Sequence, residues 1–118
     1  MDRSHQKGRE GENVAANVLV EAGMRIIARN VLSSVGEIDL VALDGETLVF
    51  VEVKAWSALG IEELEYAVTR KKQRRIIETA KAFIHSHPEY ADKAVRFDVV
   101  FVGPAGVTHF PSAFMERL

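Results

Sequence analysis

The sequence predicts an α/β fold, a small mixed sheet flanked by helices, and three observations carry that prediction. Apolar residues recur at helical spacing around residues 8–22 and 70–86, marking two amphipathic helices. Elsewhere lie strand-length runs rich in Val, Ile, Leu and Phe, punctuated by Gly, Asn and Pro. Two of these runs are joined by Asp44-Gly45, the strongest short-range hairpin signal. The segments follow the order α-β-β-β-α-β-β, which leaves open which strands pair in parallel.

Each element has a local reason. Residues 1–7 are polar and expected to be loose. In the first helix, residues 8–22, Val14, Ala15, Val18 and Leu19 make an apolar stripe and Gly23 is the stop. Residues 24–31 read as a first strand, and the hairpin follows. Residues 55–66 are ambiguous: Gly60 breaks them, and residues 62–66 are expected to form a short helical turn. Thr69 is the N-cap of the second helix, with Ile76, Ala80, Phe83 and Ile84 on one packing face. That face, extended backward, puts Lys72 on the inner side. His87-Pro88 ends the helix. Residues 95–102 (VRFDVVFV) are a central strand, 107–110 a short edge strand, and 112–118 a tail.

Composition narrows the class. The 118 residues, 47% hydrophobic and 27% charged, suit one domain spanning residues 1–118. No cysteine is present, which removes disulfide frameworks and thiolate metal sites. The polar start and the lack of a membrane-length apolar run point to a cytoplasmic protein with no membrane partner. A net charge of −2 means that any nucleic-acid contact must come from a local basic patch.

The hairpin carries a charged cluster. Pairing Leu43 with Glu46 across the turn puts Asp39 opposite Phe50 and Glu37 opposite Glu52. Side chains alternate along a strand, so Glu37, Asp39, Glu52 and Lys54 then share one face. Ile38, Leu40, Ala42, Val49, Val51 and Val53 share the other. Taken singly, these charges read as a solvated strand rim. Together, converging carboxylates repel unless one is protonated or a cation is shared. Mg²⁺ (or Mn²⁺) is the simplest shared cation for oxygen ligands. Asp39 and Glu52 as metal ligands, with Lys54 assisting, is the set that metal-dependent phosphodiester cleavage requires.

These residues also carry a resemblance. Gly11-Glu12 with Ala15 and Leu19, Gly23, Arg29-Asn30, Gly36-Glu37-Ile38-Asp39-Leu40, Phe50-Val51-Glu52-Val53-Lys54, Gly60, Lys72-Gln73 and Arg96-Phe97-Asp98-Val99-Val100 occur in order along almost the whole chain. The chain resembles the YraN-like family, a branch of the PD-(D/E)XK (restriction-endonuclease-like) nuclease superfamily that is similar in core to archaeal Holliday-junction resolvases. The resemblance implies an αβββαβ core with Asp39, Glu52 and Lys54 catalytic. It implies Glu12 as a further acidic metal ligand and Lys72 as a second-helix residue near the site. Relatives often carry a basic residue where this chain has Trp56, so a phosphate contact is missing there or replaced by stacking.

Other features are weighed against bland readings. Arg70, Lys71, Arg74 and Arg75, with Lys72, put five cations in six residues at a helix start. There the macrodipole favours anions, so a nucleic-acid phosphate is a rationale. A solvated face balanced by Glu62, Glu63 and Glu65 explains the run equally well. His85 and His87 lack further ligands for zinc and read as surface residues. Asp98, within an apolar strand and on one face with Arg96, reads as a structural hydrogen bond or ion pair, with support of the site as the lesser option, and Asn30 as satisfying backbone groups at a strand end.

The leading expectation is a metal-dependent nuclease hydrolysing phosphodiester bonds in DNA, including structured or junction DNA. In this reading Glu37, Glu12 and Lys72 support the catalytic residues. The rival is a catalytically silent nuclease-fold module that binds nucleic acid or protein. Paired incision of a junction would require a homodimer.

Overall fold

The computed structural model describes residues 3–55 and 68–116, with the backbone alone for residues 3–8. Its elements are α1 (Arg3–Glu21), β1 (Arg25–Leu32), β2 (Glu37–Asp44), β3 (Thr47–Ala55), α2 (Arg70–Ser86), β4 (Ala94–Gly103) and β5 (Gly106–Phe114), with a 3₁₀ turn at Pro88–Tyr90. The five strands form one sheet in the order β1-β2-β3-β4-β5. β3 and β4 pair in parallel, and the other neighbours pair antiparallel. The parallel step needs a crossover, and α2 lies in that connection. The α/β mixed sheet with helices on both faces is therefore observed.

Two cores hold the layers together. On one face Ala15, Ala16 and Leu19 of α1 pack with Leu40, Ala42, Val49, Val51 and Val100. On the other Ile76, Ile77, Ala80 and Phe83 of α2 pack with Val41, Leu48, Phe50, Phe97, Val99 and Phe101. Phe50 anchors the second core, edge-on to Phe83 at 5.8 Å and stacked on Phe97 at 5.7 Å. Burying one such side chain contributes about 1.5–3 kcal/mol. Central strands covered on both sides read as apolar runs, which is why β2, β3 and β4 do so.

Several details differ from the sequence reading. The helix α1 starts at Arg3, earlier than residue 8, and Val14 is turned outward at 39% exposure, while Ala16 is buried. Met24 is buried ahead of β1, which begins at Arg25. β5 runs to Phe114, so most of the expected tail is edge strand. The hairpin turn is Gly45-Glu46, with Asp44 paired to Thr47 and Leu40 to Val51. Gly45 takes φ +59°, the positive value that a leading turn glycine accepts at no steric cost. The register is thus offset by two from the expected one. A slip of two preserves each residue's face, whereas a slip of one would have reversed it.

Ile38 departs further. It belongs to the core beneath α2, whereas Leu40 and Ala42 face α1. The alternation breaks at Asp39, where β2 stops pairing with β3. His87 is not a plain surface residue: its Nδ1 lies 2.8 Å from the Phe83 carbonyl and its ring stacks on Phe83, closing α2. His85 is exposed. The expectations for Trp56, Gly60, Glu62, Glu63, Glu65 and Tyr66 fall outside the described residues.

Candidate active site at the split between β2 and β3

The site forms where the hairpin opens. Beyond the Leu40–Val51 pair, the Val53 N–H donates to Asp39 Oδ2 at 2.7 Å. A side chain thus takes a backbone donor of the strand that β2 has left. This ties Asp39 between the strands instead of standing it on one face. Asp39 consequently lines two clefts. One, about 870 Å³, opens on the α1 side with Glu10, Gly11, Glu12, Val53 and Lys54 in its wall. The other, about 400 Å³, opens on the α2 side with Glu37, Lys71 and Arg75. Asp39, Glu52 and Lys72 line both. The charges expected on one face are divided between two clefts that share these three residues.

Glu52 is 5% exposed and reaches Lys72, whose Nζ is 2.6 Å from Glu52 Oε1. Helix α2 positions Lys72 through its cap: Thr69 Oγ1 accepts from the Lys72 N–H at 3.2 Å, and the Gln73 amide holds the Val68 carbonyl at 3.0 Å. Capping by Thr and inner-face periodicity thus combine to aim one cation at the sheet. The turn between β1 and β2 is docked beside it. Ser33 Oγ and Thr79 Oγ1 are 2.8 Å apart, and Ser33 Oγ accepts from the Gly36 N–H. A Cβ on Gly36 would stand 3.1 Å from Arg75 Cβ, so the absence of a side chain permits this approach.

The electrostatics are those of crowded acids. Burial pushes the Asp39 carboxyl up to about 7; Glu52 pushes the same way, and Glu12 and Glu37 add to it, against the Val53 hydrogen bond. Glu12 is raised by burial and then by Glu37, against a hydrogen bond from Asn30 and the charges of Arg29 and Arg9. Asn30, read as a backbone partner, instead supports Glu12. It sits at φ +52°, a left-handed conformation that Asn tolerates better than most residues.

The donors are all carboxylate oxygens, suited to a hard divalent ion. Mg²⁺ is commonly bound through one or two carboxylates and keeps its remaining waters, and Asp39 and Glu52 are two carboxylates that line the same clefts. Among the described residues, no group of three acidic or histidine side chains converges tightly enough to cage an ion. Glu12, expected as a third ligand, contributes field without closing such a cage. Of the four cations expected to touch nucleic acid, Lys71 and Arg75 line the α2-side cleft; Arg70 and Arg74 are exposed elsewhere on the helix. Glu10 was missed: nothing in its local pattern separates it from an ordinary helix-surface acid.

Asp98 lies outside both clefts. It is fully buried, accepting from Arg96 Nε at 2.9 Å and from the Ser112 N–H at 3.0 Å, with His109 Nε2 at 2.7 Å. Burial works to raise its pKa, but His109, Arg96 and the Ser112 N–H prevail and hold it below the ordinary carboxylate value. Arg96 also reaches Asp44 at 3.0 Å, so the network ties β4 to β5 and to the hairpin.

With this geometry in view, the kinship of the chain is clear. Residues 11–102 match the model of uncharacterised protein family UPF0102. The chain belongs to that family. This bears out the YraN-like resemblance. A UPF0102 protein of Rhodopseudomonas palustris strain BisB18 is 45% identical over 108 residues, 91% of this chain and 78% of its own. One from Psychrobacter sp. strain PRwf-1 is 45% identical over 102 residues, 80% and 72% of the two chains. Among solved structures, Hjc of Archaeoglobus fulgidus, a Holliday junction resolvase, superposes with a TM-score of 0.52 and 22% identity. The match covers 95% of this chain and 78% of that one. That likeness shows a shared fold, the one expected from the αβββαβ order.

Proposed function

We propose that this UPF0102 protein is a divalent-metal-dependent nuclease that hydrolyses phosphodiester bonds in DNA in the cytoplasm. One observation carries the reading: Asp39 and Glu52 both line the two clefts where the sheet splits, and their charges repel each other there. Such mutual repulsion at a cleft marks a site arranged for a cation instead of for stability. Mg²⁺ or Mn²⁺ bound there would supply charge to polarise a phosphoryl oxygen and to acidify a water.

The chain's own residues supply the rest. Asp39 and Glu52 offer the oxygen ligands, and the Val53 N–H fixes which Asp39 oxygen faces the backbone. Lys54, in the wall of the α1-side cleft, is placed to take up a proton from water or to offset charge on the phosphate. Lys71 and Arg75 rim the other cleft, giving a phosphate backbone cations to lie against. The shared fold with a Holliday junction resolvase makes junction DNA the first substrate to try. Paired incision would need two sites, hence two copies of the chain.

The test incubates purified protein with linear, single-stranded and four-way-junction DNA in Mg²⁺ or Mn²⁺, beside Glu52→Gln and Lys54→Ala. Cleavage is expected only with metal, and each substitution should lower it at least about 100-fold. No cleavage of any substrate at high protein concentration, or equal cleavage by the variants, would count against a nuclease.

A further inference from the structure

We propose that Lys72 is the resident cation of the metal-free site and exchanges with the divalent ion when the site loads. The idea rests on the nuclease reading, because it takes Asp39 and Glu52 as metal ligands. Its starting point is an asymmetry within one ion pair. Lys72 Nζ lies 2.6 Å from Glu52 Oε1, yet the side chains are 41% and 6% exposed, respectively. A carboxylate buried as deeply as Glu52 needs a partner charge, since an unpaired one is costly. Its partner is anchored only through a long aliphatic stem that already reaches water. The anion is fixed and the cation is free to leave.

Positions around the pair fit an exchange. The Lys72 backbone is held in the first turn of α2 by the Thr69 cap, so loading would require a side-chain rotation and no helix movement. An ammonium and a divalent ion sharing Glu52 Oε1 would stand within a few ångströms of each other and repel, which favours one occupant at a time. Lys72 lines both clefts, so an ammonium released from Glu52 remains in the groove that a phosphate backbone would follow. Loading the metal would thereby free a cation for the substrate. Metal and nucleic acid would then each strengthen the other's binding by the same factor.

The experiment compares full-length wild type with Lys72→Met, which keeps the stem and removes the charge. Mn²⁺ is titrated calorimetrically into both proteins in the same buffer, and thermal unfolding is followed in chelator. The two readouts should move in opposite senses. The metal-free melting temperature should fall, since Glu52 loses its partner, while Mn²⁺ should bind at least about tenfold tighter, the effect of removing one nearby charge even under strong solvent screening.

Equal or weaker Mn²⁺ binding by Lys72→Met would overturn the proposal, leaving Lys72 as a tie that merely positions Glu52. Absence of Mn²⁺ binding by the wild type would remove the metal site of the nuclease reading, and the exchange with it. Should Lys72→Met fail to fold, the side-chain ammonium resonance of Lys72 in wild type decides. Addition of Mg²⁺ should shift it toward a solvent-exposed lysine, and a resonance unmoved at saturating Mg²⁺ would overturn the exchange.

Discussion

Replacing Asp39 with Asn should make the metal-free protein more stable, not less, and only at neutral to alkaline pH. The folded structure raises the Asp39 carboxyl from its ordinary 3.8 to about 7, chiefly by burial and then by Glu52. For a raised acid, the contribution to stability is fully present below the ordinary value and is lost as pH rises through the folded value. At about 1.4 kcal/mol per pH unit, just over three units set a ceiling of about 4 kcal/mol. Asp39 is partly open to its clefts, and solvent screening reduces that to about 2 kcal/mol. An Asn there keeps an oxygen for the Val53 N–H but carries no charge against Glu52. Asp39→Asn should therefore gain about 2 kcal/mol over wild type at about pH 8, roughly 8 °C or more in melting temperature for a domain of this size. The gap should close near pH 4, where the wild-type carboxyl is protonated. Urea unfolding in chelator across this range measures it. A variant no more stable at pH 8, or a gap that does not change with pH, would refute the electrostatic account of the site.

Two further predictions concern the frame that holds the site. Gly36→Ala places a Cβ 3.1 Å from Arg75 Cβ and 3.3 Å from Thr79 Oγ1, and should cost about 1–3 kcal/mol by overpacking; unchanged urea unfolding would show that the β1–β2 turn does not need its close seat on α2. Asp98→Ala should cost about 1.5–3 kcal/mol at neutral pH, because it leaves Arg96 with Asp44 alone and takes the acceptor from the Ser112 N–H. As the folded Asp98 pKa is lowered, its contribution is present above the ordinary carboxylate value and fades as pH falls through the lowered one. The penalty should therefore shrink in acid, and a loss under about 1 kcal/mol at pH 7 would show that the network is dispensable.

Much of the architecture was legible because local and global preferences agree. Val49, Val51 and Val53 alternate with Leu48, Phe50 and Glu52 as a strand covered on both faces must, and Thr69 caps α2 as its side chain permits. Lys72 could be placed on the inner face of α2 from helical periodicity alone, and it pairs with Glu52 across the site. The hairpin register was less legible. Asp44-Gly45 and Gly45-Glu46 are both acceptable turns, and pairing of Asp44 with Thr47 settles which one forms. Offset by two, the paired residues from Leu40 to Asp44 keep their faces; the alternation breaks only at Asp39, beyond the last pair.

The sequence by itself determined the α/β order, the identity of the apolar strands and the family. The elements depend on periodicity and residue type, which any short window of the chain contains; the family rests on motifs that occur in order from Gly11 to Val100. Only the tertiary structure decided that β3 and β4 run parallel, that Ile38 and Leu40 face opposite cores, and that Asp98 is held by β5. It also turned the single charged face into two clefts joined through Asp39. The reason is physical: a strand's alternation is local, but where it stops pairing depends on a neighbour contributed from elsewhere in the chain. At Asp39 that neighbour withdraws, and a carboxylate takes the Val53 N–H in its place.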